Sequence, residues 1–112
     1  MSTKSKKADK PQDAPRLVDL PSVGIKTAKY LGIVNIRKPE DLLGKDPYEL
    51  YVQLCEAEQK YYDPCLLDQF ISAVEFMNNG KKQAWWKYTD ARKEKFPLIA
   101  GQVQCYRKPA RD

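Results

Sequence analysis

Two aspartate–proline pairs constrain this chain more than any other feature. In Asp46-Pro47-Tyr48-Glu49 and in Asp63-Pro64, aspartate supplies a side-chain acceptor where a helix begins. Proline then takes the first helical position, where the backbone amide has no partner to lose. Glu49 stands where it would close a capping box on Asp46. Behind the second pair, Leu66, Leu67, Phe70, Ile71, Val74 and Met77 recur every three or four residues, a helical stripe stopped by Asn78-Asn79-Gly80. Behind the first, Leu50, Leu54 and Cys55, flanked by Tyr51, give a shorter apolar face to about residue 58. Two successive amphipathic helices must bury their stripes against each other or against further helices. The chain therefore reads as all-α, a compact array of about five short helices.

The remaining segments fill in that array. Arg16–Leu20 reads as one helical turn, and Pro39–Leu43 as a short helix ended by Gly44. Lys81–Lys95 reads as a last short helix, with Trp85, Trp86 and Tyr88 available to lie back on the core and at least one tryptophan expected inside. Gly101–Tyr106 alternates enough to be an edge-strand candidate. Residues 1–15 are rich in Lys, Asp and Pro without periodicity and read as a disordered basic arm. Residues 16–95 form the expected helical domain, and 96–112 a basic C-terminal extension.

Composition narrows the function. A chain of 112 residues with 42% hydrophobic content holds one small domain with a single core. No apolar run approaches the ~18 residues of a membrane span, and the first residues lack the apolar middle of a secretory signal, so a cytoplasmic protein is expected. Cys55, Cys65 and Cys105 are then expected as reduced thiols. The net charge of +5 is unevenly spread: residues 1–16 carry five basic and two acidic groups, 17–79 six and ten, and 80–112 nine and three. The globular part is mildly acidic. Any grip on a polyanion must come from a local site helped by the basic ends.

Enzymatic chemistry finds no support. Histidine is absent, no glycine-rich nucleotide loop is present, and the acidic residues read as helix starts and solvent positions. No metal site is expected, because three cysteines at unsuitable spacing leave a tetrahedral zinc site short of a ligand. Cys55 and Cys65 fall near the facing ends of successive helices, either as two small buried hydrophobes or as a redox pair.

One local signal remains. Leu20-Pro21-Ser22-Val23-Gly24 reverses the chain before a two-turn helix marked by Ile25, Ala28 and Leu31, ending near Gly32. Gly24 is free to take positive φ. The first amides of that helix have no intrahelical acceptors and lie at the positive end of its dipole. Val23, Gly24 and Ile25 thus offer amides, Ser22 a hydroxyl, and Lys26 and Lys29 charge on one face, a set suited to a phosphate. The plainer reading is a tight helix corner whose amides meet water.

Residues 20–31 resemble the helix-hairpin-helix motif, roughly L-P-G-hydrophobe-G-x-x-x-A-x-x-L. The resemblance implies DNA binding without sequence preference, through hairpin amides on backbone phosphates. It also implies a monovalent cation held by hairpin carbonyls, and no other cofactor. LPSVG, GKDPYELY at 44–51, Leu54-Cys55, Asp63-x-Cys65 and Trp85-Trp86 extend the likeness over residues 17–88. This wider stretch resembles the small bacterial pathogenicity-locus helix-hairpin-helix family, some members of which carry a mitomycin-resistance label. The resemblance thus makes 16–95 a helix-hairpin-helix domain.

Two departures bear on mechanism. Ser22 stands where the motif has its first glycine, and a non-glycine residue there is strained or shifts the turn. A second hairpin is missing: Glu56–Asp63 has no glycine and is net negative. One hairpin gives few phosphate contacts and a shallow salt dependence unless a homodimer or the basic ends add more. The rival reading is a protein-interaction module on the same scaffold, presenting the acidic 40–58 face and exposed aromatics to a protein partner.

Overall fold

The computed structural model describes residues 7–60 and 62–95. Among these described residues four α-helices form: α1 Ile25–Ile33, α2 Pro47–Glu58, α3 Pro64–Asn79 and α4 Thr89–Lys95. Single 3-10 turns at Pro11–Asp13, Leu17–Asp19, Pro39–Leu42 and Trp85–Tyr88 link them. Among the described residues there is no strand, and the Gly101–Tyr106 candidate lies outside them. No described helix is long and apolar enough to cross a membrane.

Both aspartate–proline starts form. Asp46 accepts from the Tyr48 amide at 2.9 Å and Asp63 from the Cys65 amide at 2.8 Å. Glu49 does not close the expected box, so Asp46 caps alone. α3 ends as its sequence says: Gly80 adopts φ 69°, and its amide reaches back to the Phe76 carbonyl.

α3 is the centre of the domain. It packs against α2, α4 and the turns at 39–42 and 85–88. Leu67, Phe70, Ala73 and Phe76 are fully enclosed, as are Tyr51 and Leu54 of α2 and Leu20, Val23 and Leu31 around α1.

The interior departs from the sequence reading in four places. Asp68 is not at a solvent position: it is completely buried and holds Arg92 Nε at 2.8 Å, Arg92 Nη2 at 3.2 Å and Thr89 Oγ1 at 2.8 Å. That pairing fastens α4 to α3, and the Asp68 hydrogen bonds push the Arg92 pKa above its ordinary value. Tyr88, rather than a tryptophan, enters the interior, while Trp85 is half-buried and Trp86 is 61% exposed. The two indoles meet edge to face at 5.7 Å. Ile25 stands 74% exposed although its spacing marked it as apolar-face, and Thr27 is buried instead.

The fourth departure concerns the arm. Residues 7–15 are held against the domain rather than loose: Ala8 and Ala14 are buried, and the Ala8 amide donates to the Asp19 carbonyl at 2.8 Å. Alanine is small enough to enter the core without an apolar run announcing it.

Candidate functional site

The corner between Leu17–Asp19 and α1 is built from both sides. Its first limb is a single 3-10 turn, braced by Asp19, which accepts from the Arg16 amide and guanidinium at about 3 Å. The Arg16 bonds hold the Asp19 carboxyl below its usual range. Leu20 and Val23 plunge into the core on either side of Pro21-Ser22. α1 is tied to α3 by Thr27 Oγ1, which donates to Gln69 Oε1 at 2.5 Å.

The bend is made by Ser22, not by Gly24. Ser22 lies at φ 69°, in the left-handed region, whereas Gly24 is extended at φ −95°, ψ −173°. Serine tolerates that conformation because its hydroxyl is secured. Ser72 Oγ on α3 gives its proton to the Gln83 carbonyl at 2.7 Å, so at 3.0 Å it accepts from Ser22.

The six residues read as a phosphate site therefore divide. Ser22 spends its hydroxyl proton on Ser72, and the Val23 amide donates to the Leu20 carbonyl at 3.2 Å. Neither is left to donate to an outside oxygen as the sequence suggested. The amides of Gly24 and Ile25, and that of Lys26 beyond them, meet no acceptor among the described residues; the first helical bond runs from Ala28 to the Gly24 carbonyl. Lys26 and Lys29 are exposed. Lys26 borders a groove of about 360 Å³ with Tyr30, Tyr62 and Asp63. The rings of Tyr30 and Tyr62 stand 5.0 Å apart, and burial is the main cause raising the Tyr62 hydroxyl to about 12.

Gly24 caps α1, a position that glycine suits, but neither its φ nor its surroundings demand glycine. Its φ is negative, and a Cβ built on it would meet nothing within 4 Å.

Two carbonyls at the corner already have a cationic partner. The Val18 and Val23 carbonyls both accept from Lys7 Nζ, at 2.6 Å each. Lys7 was one of several basic residues in the arm, with no local signal to distinguish it. Ser72 was equally silent.

Cys55 is buried and Cys65 half-buried, both as free thiols. Burial raises both pKa values, as it does for an inert small hydrophobe. No group of three or more His, Cys, Asp or Glu able to hold a metal occurs among the described residues. Cys105 lies outside the described residues.

The described residues form an all-helical domain, and at the start of α1 the first amides meet no acceptor among them. The chain belongs to the Cdd1 pathogenicity-locus family, which it matches over residues 10–94. It is also similar to the mitomycin resistance protein McrB of Streptomyces lavendulae, 37% identical over 90 residues, covering 80% of this chain and 83% of that one. No solved structure matches.

Proposed function

We propose that this is a non-enzymatic protein that binds DNA without sequence preference, its single corner acting as a helix-hairpin-helix phosphate site. Gly24, Ile25 and Lys26 donate amides to one backbone phosphate, and Lys26 and Lys29 add charge beside it. The observation that carries this reading is Gly24: an unhindered residue with no conformational need for glycine, set beside unpartnered amides. The resistance named for the relative is met, on this reading, by association with damaged or branched DNA in a cytoplasmic setting. Basic ends, or pairing of two chains, supplement the few contacts of one corner.

Salt dependence tests it. If Lys26 and Lys29 each neutralise one phosphate, they contribute about −1.8 to the slope of log K against log salt, or roughly 12-fold weakening between 50 and 200 mM. Changing both to Glu should abolish binding to a short duplex in an anisotropy titration. Binding that survives the change, or no measurable affinity in the intact protein, refutes the proposal. The second outcome favours the protein-interaction reading, for which exposed Leu43 and Trp86 are the supporting observation.

A further inference from the structure

Two main-chain oxygens converge at the corner. The Val18 carbonyl belongs to the turn before the bend and the Val23 carbonyl to its far end, and both point at Lys7 Nζ, 2.6 Å away. Convergent carbonyl oxygens repel one another, and an ammonium between them replaces that repulsion with two charge-assisted hydrogen bonds. The side chain that supplies it is half-buried and reaches the bend from outside the hairpin sequence.

Its placement is fixed by its neighbours. Ala8 is buried with its amide on the Asp19 carbonyl at 2.8 Å, and Asp9 pairs with Lys82 Nζ at 2.5 Å. Consecutive residues thus anchor the segment at two places, Lys7 and Ala8 at the corner and Asp9 at Lys82. Burial lowers the Lys7 pKa, and the nearby Asp19 charge offsets part of that effect. A tethered cation is present at a fixed local concentration, whatever the salt outside.

We propose that Lys7 is the built-in cation of this corner, holding its carbonyls in place of a free monovalent ion, and that removing the ammonium opens a latent monovalent-cation site. The hairpin of this protein then forms equally well in any salt. This inference concerns the architecture of the bend and stands whether or not DNA is its ligand.

Thermal unfolding of the full chain tests it, at constant ionic strength in potassium, sodium or tetramethylammonium chloride. The wild-type midpoint should agree in all three within about 1 °C. Lys7→Met keeps an apolar stem and removes the charge. Its midpoint should fall by about 5–10 °C in tetramethylammonium and recover by half or more as potassium is titrated in, saturably. Lys7→Arg keeps a charge and should remain indifferent to the cation. A saturable potassium-specific stabilisation of the wild type overturns the proposal without any variant. So does a Lys7→Met protein whose midpoint ignores the identity of the cation.

Discussion

Replacing Gly24 with alanine separates the corner's internal role from its external one. Gly24 lies at φ −95°, ψ −173°, backbone that alanine adopts readily, and the new Cβ has no neighbour within 4 Å. Two small effects on folding oppose each other. Alanine is a poorer helix cap than glycine by roughly 0.5 kcal/mol or more. Removing glycine's freedom from the unfolded chain contributes about 0.4–1 kcal/mol in the other direction. The net change should stay within about 0.5 kcal/mol, a midpoint shift of at most ~4 °C by scanning fluorimetry. The external effect is larger. A methyl group beside the Gly24 and Ile25 amides holds a phosphate oxygen out of reach. Losing one hydrogen bond to a charged oxygen costs about 1.5–3 kcal/mol. Affinity for a labelled duplex at low salt should therefore drop about 12- to 150-fold. If Gly24→Ala binds within two-fold of wild type while folding normally, the amides hold no phosphate. A protein that unfolds instead would show that the corner depends on Gly24 in a way its geometry denies.

Other outcomes follow from the same coordinates. Ser22→Gly relieves a left-handed serine but loses the bond to Ser72, each about 1 kcal/mol, so chemical denaturation should find it within ~1 kcal/mol of wild type. Asp68→Ala strands the buried Arg92 and should cost about 3–5 kcal/mol by the same measurement. The Tyr88 hydroxyl is buried with no partner among the described residues, so Tyr88→Phe should be neutral or stabilise by up to ~1 kcal/mol. Because burial raises the Cys55 and Cys65 thiol pKa values, little thiolate forms at neutral pH. Their reaction with a disulfide reagent should be slower than that of free cysteine, and should accelerate only above the usual thiol range. Fast labelling at pH 7 would contradict that burial.

The parts of the fold that were legible in the sequence are those with local causes. Asp46 and Asp63 cap helices two residues away, and the stripe from Leu66 to Met77 needs only helical periodicity to be seen. What escaped depends on distant partners. Asp68 meets Arg92 24 residues later, Ser72 meets Ser22 across 50, and Lys7 reaches a carbonyl 16 residues on. No local pattern marks such pairs. The aromatic assignment failed for a related reason: Trp85–Tyr88 carries three rings within four residues, and packing against α3 rather than ring polarity decides which one enters. At the corner, sequence located the bend and its lysines. It counted Ser22 and Val23 among the free donors, because Ser22 takes the left-handed position expected to fall to glycine and the hydrogen bonds that occupy Ser22 and Val23 come from the folded state.

The Asp68–Arg92 pair also limits how this protein can be shortened. A version ending between residues 80 and 91 would keep α3 intact yet deprive the Asp68 carboxylate of its arginine. Such a fragment would have to let water into its centre to solvate that charge. Minimal versions for binding studies, and split or fused designs, must carry the chain through that arginine. The alternative is to cut and replace Asp68 with an apolar residue in the same step.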